Sequence, residues 1–206
     1  MPVLPIPLPS IEIVAASQGI SKGLRQTSGP QLIVHPEVAI GSFFAGALVK
    51  NVTSATSDGE ADLLAGLRQR LGGFDLTASV AYRHAVDPAP GSDPDAFEFY
   101  AAASRRFGPV APRVSATWSP DDLGGSGHSL YVEAGATLGP FANASLSGSV
   151  GRRTREIGAD YTSTNLGISY AAFGHITADL RYWHTDHAQL GAIYRDRVVA
   201  SLRTRF

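Results

Sequence analysis

The chain contains no cysteine, which excludes a disulfide framework, a thiolate metal site and any cysteine nucleophile. Lysine is nearly as scarce: Lys22 and Lys50 are the only two, so arginine supplies the remaining 15 of 17 basic residues. Charged residues are only 17% of the total and the formal net charge is -1, which argues against a disordered acidic tail and a basic nucleic-acid binder. No nucleic-acid partner is expected. No apolar run approaches the roughly 18 residues of a membrane helix, so a helical membrane protein is excluded. The opening MPVLPIPLPS has no basic stretch and its prolines interrupt any apolar core, unlike a secretory signal. An exported form of this chain is therefore expected to have lost its signal already.

What the sequence has instead is alternation. With period two, successive side chains fall on opposite faces of a strand. Phe74, Leu76, Ala78, Val80 and Tyr82 are apolar, while Asp75, Thr77, Ser79 and Ala81 between them are polar or small. Similar two-faced runs cover residues 130–138 and 176–183. Short glycine turns at Gly41, Gly72, Gly108, Gly139 and Gly174 alternate with longer polar stretches at 27–30, 53–59, 87–95, 119–127, 152–159 and 185–190. Five tight turns join ten strands, and one more at each end makes about twelve. The strands are expected at 11–26, 31–40, 43–52, 60–71, 74–86, 96–107, 110–118, 128–138, 141–151, 160–172, 175–184 and 191–206.

Many of these strands have about the 9–11 residues that a tilted strand needs to cross a bilayer. An even strand number, tight turns on one side and longer loops opposite are the pattern of an outer-membrane barrel. The fold class is therefore all-β, a transmembrane antiparallel up-and-down β-barrel over residues 11–206, preceded by a proline-rich segment at 1–10. The soluble alternative, a ligand-binding β-barrel or sandwich, would put its apolar face inside. Abundant alanine on the apolar face favours lipid, which demands hydrophobicity without interdigitated packing. Phe74, Phe97, Phe107, Trp118, Phe141 and Tyr170 fall near strand ends, as interfacial girdles require. The last strand ends on Phe206, like the assembly signal of bacterial outer-membrane proteins, so the outer-membrane assembly machinery is an expected partner.

Gly19-Ile20-Ser21-Lys22-Gly23, Gly29-Pro30-Gln31, Gly41-Ser42-Phe43-Phe44-Ala45-Gly46 and Val49-Lys50-Asn51-Val52 together resemble the opening of the TorF family of bacterial porins. That family has a similar Gly-Ile-Ser segment, Gly-x-Pro turn and Gly-Phe-Tyr-Ala-Gly hairpin. The likeness is best over residues 11–70; Gln18 stands where the family often has Arg, and Phe44 where it often has Tyr. The resemblance implies a porin-like barrel.

Charge on the polar face is the candidate functional feature. Arg68 and Arg70 on the fourth strand, Arg83 on the fifth, Arg106 on the sixth and Arg113 on the seventh form one basic stretch. Arg181 on the eleventh and Arg195, Arg197, Arg203 and Arg205 on the twelfth form another. Rings of arginine favour anions, because a low-dielectric wall focuses their field into the lumen. Glu37, Asp62, Asp75, Glu98, Glu133 and Asp179 share that face, so the alternative is a lumen filled with ion pairs. The loops, at about six to nine residues, are too short for a large folded plug, although an inward fold of residues 87–95 would match a porin-type constriction loop. The function expected is passive diffusion of small hydrophilic solutes with some anion preference. A closed structural or adhesive barrel, a soluble ligand binder and a membrane enzyme are the rivals.

Other constellations are weaker. His84 is the best outward residue for lipid hydrolysis, yet no serine is placed beside it, and no enzymatic role is expected. His184-Thr185-Asp186-His187 has metal-ligand chemistry but the spacing of a solvated loop tip; neither metal nor cofactor is expected. Arg152-Arg153-Thr154-Arg155 is read as an outer loop able to meet lipopolysaccharide phosphates beside the membrane lipids.

Overall fold

A computed structural model describes residues 6–54 and 57–206. Twelve antiparallel strands close into one barrel, each paired with its neighbours in chain order. They are β1 (Leu8–Ala16), β4 (Gln31–Ile40), β5 (Phe43–Asn51), β6 (Gly59–Leu71), β7 (Phe74–Val86) and β8 (Asp95–Ser104). The second six are β9 (Val110–Ser119), β10 (Ser129–Phe141), β11 (Ala144–Arg155), β12 (Tyr161–Ala172), β13 (Ile176–Thr185) and β14 (Arg197–Arg205). β1 meets β14 over Glu12–Arg205 to Ala16–Ser201 and closes the wall. A separate two-stranded hairpin, β2 (Ile20–Ser21) and β3 (Leu24–Arg25), stands apart from it. Two single 3-10 turns, Ala188–Leu190 and Ala192–Tyr194, precede β14. No helix among the described residues is long and apolar enough to cross a membrane; this wall crosses with strands.

The turns obey the backbone. Gly72 and Gly73 both have positive φ, 58° and 82°, the geometry of the two-residue hairpin turn that follows the natural twist of paired strands. Lys22 and Gly23, at 49° and 81°, do the same for β2 and β3. Tight turns and both chain ends lie at one end of the barrel, the inner end, and the longer loops at the other, the outer end.

Burial identifies which side of the wall is which. Leu63, Leu67 and Leu71 on β6, Val114 and Trp118 on β9 and Leu180 on β13 are exposed on the outside. Glu60, Asp62 and Arg83 are buried on the inside. This inversion of a soluble protein is what lipid as solvent requires, since the strands are paired edge to edge around the closed ring and side chains face lipid.

Several boundaries differ from the sequence expectation; β8, for one, ends at Ser104 rather than 107, and β10 runs on to Phe141 rather than 138. The first strand runs over 8–16 rather than 11–26, so part of the proline-rich segment belongs to the wall; residues 1–5 lie outside the described residues. Pro9 is tolerated because odd-numbered amides of β1 point toward β14. Ile11 N–H donates to Phe206 O at 3.0 Å, so the proline nitrogen points past the end of that strand. The first half of the expected loop at 152–159 is strand, since β11 continues to Arg155. Arg195 lies ahead of β14, which begins at Arg197. The expected loop at 53–59 is described except for residues 55 and 56.

Candidate functional site

The interior divides into two chemically different halves. In the outer half, Arg83 is buried among three carboxylates: Glu60 at 2.8 Å, Glu98 at 2.9 Å and Asp122 at 3.1 Å. Lys50 pairs with Glu60 at 3.1 Å, Arg153 with Asp122, and Lys22 with Glu98. Ser129 donates its hydroxyl to Asp122 at 2.9 Å. Four cations, Lys22, Lys50, Arg83 and Arg153, thus face four carboxylates, Glu60, Asp62, Glu98 and Asp122. Burial alone would raise the Asp122 carboxyl, but the combined field of Lys22, Arg153 and Arg83 holds it well below the usual carboxylate range. Burial lowers the Lys22 ammonium from its ordinary value, against the opposing pull of Glu98 and Asp122.

Lys22 reaches this network because the hairpin folds into the barrel. Its Leu24 is buried with Tyr161 and Tyr194, whose rings meet edge to face at 5.7 Å. Tyr161 donates its hydroxyl to the Lys22 carbonyl at 2.6 Å. Gly23 lies so close to Ser163 that a Cβ there would sit 2.2 Å from the serine Cβ, which only glycine permits. The hairpin at 20–25, rather than the 87–95 loop, is therefore the chain that enters the lumen. The 87–94 loop packs against a neighbouring loop, where Gly124 N–H donates to Asp93 O at 3.0 Å.

The inner half is open and basic. Arg68 holds Glu37 through two hydrogen bonds of 2.6 and 2.7 Å, and Arg205 approaches the same carboxylate at 3.4 Å. Arg203 stands 3.9 Å from Glu12, and Arg70 3.7 Å from Asp75. Arg106, just beyond β8, donates to Gly139 O at 3.0 Å. Across the lumen, Arg113 pairs with Glu133. Arg181 is held by Asp179 at 3.0 Å, Asn165 at 2.6 Å and Ser147 at 2.7 Å. Arg113, Arg181, Asn165, Ser147, Ser149 and Trp183 line a cavity of about 270 Å³. A second cavity of about 150 Å³ lies among Ser10, Glu12, His35, Glu37, Arg68 and Arg205. Seven arginines (68, 70, 106, 113, 181, 203 and 205) share this half with five carboxylates (Glu12, Glu37, Asp75, Glu133 and Asp179).

The sequence-derived residues are thus separated. Arg83 and Glu98 belong to the outer network; Glu133, Asp179 and most of the arginines face the inner half. Arg197 does neither, since its guanidinium bonds the carbonyls of Ala192, Ile193 and Arg195. Sequence reading missed Lys22, Lys50, Glu60, Asp122 and Arg153. Two of these were accessible to it: Glu60 has the same parity as inward Asp62, and Lys50 lies directly across the ladder from Glu60.

The rejected constellations have structural partners of their own. His84 is on the outer wall with Nδ1 2.8 Å from Asp95, which also accepts the Tyr82 hydroxyl at 2.5 Å. Tyr182 and His184 meet Asp196 in the same way on β13, while His187 turns to Asp186 at 2.7 Å. The His184–His187 stretch is thereby split between two carboxylates, and no group of three or more potential metal ligands gathers among the described residues.

A closed twelve-stranded wall, apolar outside and charged inside, is a membrane-spanning barrel. Its fold is that of the bacterial outer-membrane porins. KdgM porin aligns over 96% of this chain and 99% of its own, with a TM-score of 0.65 at 8% identity. NanC porin aligns over 95% and 97%, with a TM-score of 0.58 at 10% identity. An outer-membrane channel from Pseudomonas putida F1 aligns over 100% and 96%, with a TM-score of 0.59 at 14% identity. No family model and no curated protein sequence matches the chain.

Proposed function

We propose that this protein is a bacterial outer-membrane channel that passes small hydrophilic solutes down their gradients and prefers anions. The observation that carries the reading is the excess of solvent-exposed guanidiniums in the inner half. The side chains of Arg70, Arg203, Arg205 and Arg113 are 75%, 61%, 57% and 52% exposed. Inside a low-dielectric wall such charges raise the local concentration of anions. Arg113 and Arg181, beside Asn165, Ser147, Ser149 and Trp183, offer charge, hydroxyl-matching donors and an aromatic face. That combination suits an acidic saccharide, and a KdgM porin structure contains disordered oligogalacturonate. The opening glycine motifs support kinship with the TorF porins. Membrane lipids and lipopolysaccharide at the outer rim, and assembly machinery engaging Phe206, complete the set of partners. The reading requires no chemical step.

The test is the reversal potential across a planar bilayer under a salt gradient. Its sign is expected to report anion preference, and replacing Arg113 and Arg181 together with alanine is expected to move it toward zero. Cation preference in the native protein would overturn the reading. One observation favours a second reading, a sealed structural barrel: Thr27, Ser119, Ser129, Tyr161 and Ser163 in the outer half are fully buried. Intact insertion without any conductance, even after residues 20–25 are removed, would establish it.

A further inference from the structure

The outer half is closed by a piece of chain that is not part of the wall. β2 and β3 pair only with each other, as a two-stranded sheet outside the barrel ladder. The base of the hairpin is closed on itself, with Gln26 N–H donating to Gly19 O at 2.8 Å and Gly19 N–H to Thr27 Oγ1 at 2.7 Å. Within the lumen it is held by side chains: Lys22 on Glu98, Tyr161 on the Lys22 carbonyl, and Leu24 against Tyr161 and Tyr194.

We propose that residues 20–25 form a removable stopper, and that the conducting state of the channel has this hairpin swung out of the lumen. The proposal rests on the channel reading above. Its physical basis is what each side is left with after separation. A plug that left buried carboxylates bare would be permanent, because an unpaired buried charge is costly. Here Glu98 and Asp122 both keep Arg83 when Lys22 departs, and Asp122 also keeps Arg153. The freed ammonium returns to water, where it needs no partner. The uncovered wall presents Ser129, Ser163, Tyr131 and Tyr161, whose hydroxyls water can satisfy. No ladder bond of the wall is broken. The fit is nonetheless tight, because Gly23 has no room for a side chain beside Ser163.

That contact supplies the experiment. Gly23→Ala and Ser163→Leu enlarge opposite sides of the same contact, and a third variant replaces residues 20–25 with two glycines. All are compared with native protein by single-channel recording, after heat-modifiable gel mobility confirms a folded barrel. The native channel is expected to be mostly closed, and each variant to carry at least about tenfold more mean current at the same voltage. Equal currents in native and hairpin-deleted protein would overturn the stopper and leave the channel reading standing. Absence of current from every inserted form, including the deletion, would overturn the channel reading and the stopper with it. A measurement without current uses the cysteine-free background: Leu24→Cys is expected to react with a bulky maleimide at least about tenfold faster when Ser163→Leu is also present. Equal rates in the two backgrounds would again overturn the stopper.

Discussion

Arg83 is a heavily committed side chain, touching Glu60, Glu98 and Asp122 while almost fully buried. Arg70 is its opposite, a lone exposed arginine 3.7 Å from an exposed aspartate. The two should respond very differently to truncation. Arg83→Ala leaves buried carboxylates short of a partner, for which the cost is about 3–5 kcal/mol. Arg70→Ala breaks an exposed pair and should cost less than about 1 kcal/mol. Urea unfolding followed by gel mobility measures both, and comparable losses would refute the division of the lumen into a buried network and an open half. From sequence the two arginines look alike, since both sit on the inward parity of adjacent strands. What separates them is the company that Lys22, Asp122 and Arg153 bring from elsewhere in the chain, and no local pattern reveals it.

Among the elements, β5 and β6 show how a strand is fitted to the lumen rather than to lipid. Phe44 points inward and is buried against Gly66, where an added Cβ would meet the phenyl Cζ at 2.7 Å and the Ala78 carbonyl at 2.4 Å. The Arg68 guanidinium stacks on the other side, 3.8 Å from the ring centroid. Gly66→Val should therefore cost at least the roughly 1–3 kcal/mol of an overpacked core and loosen the Arg68–Glu37 pair. The same substitution at outward Ala65 should be nearly silent by the same urea assay. The staves themselves were legible from alternation and glycine turns, because lipid on one side and water on the other imposes period two on nearly every strand. The hairpin was not. Residues 11–26 read as one strand, although sixteen residues exceed what a bilayer crossing needs. Lys22-Gly23, with both φ angles positive, was the missed turn.

At the scale of the whole molecule, the two halves of the wall echo one another. Leu76, Thr77, Ala78, Tyr82 and His84 on β7 recur as Ile176, Thr177, Ala178, Tyr182 and His184 on β13, each 100 positions later and six staves around the ring. Leu32 and Val34 on β4 recur as Leu130 and Val132 on β10, each 98 positions later and also six staves around. The two tryptophans then make a direct test of which surface meets lipid. Trp118 lies on the outer wall, stacked at 5.3 Å on Phe99, whereas Trp183 lines the inner cavity. In vesicles with brominated acyl chains, fluorescence of the Trp183→Phe variant should be strongly quenched and that of Trp118→Phe largely spared. The reverse pattern would turn the barrel inside out.

The join between β1 and β14 has five ladder pairs, extended by backbone bonds of Ile11 with Phe206 and of Ser17 with Ala200, whereas β6 and β7 share thirteen pairs. Outside, this join is flanked by two apolar grooves, both bordered by Ala15 and Ala16, whose small side chains leave the backbone thinly covered. A cask fails first at its shortest glued edge. Here that edge unites the first strand with the twelfth, so the ring can be completed only after β14 has emerged, and a sideways breach would begin there.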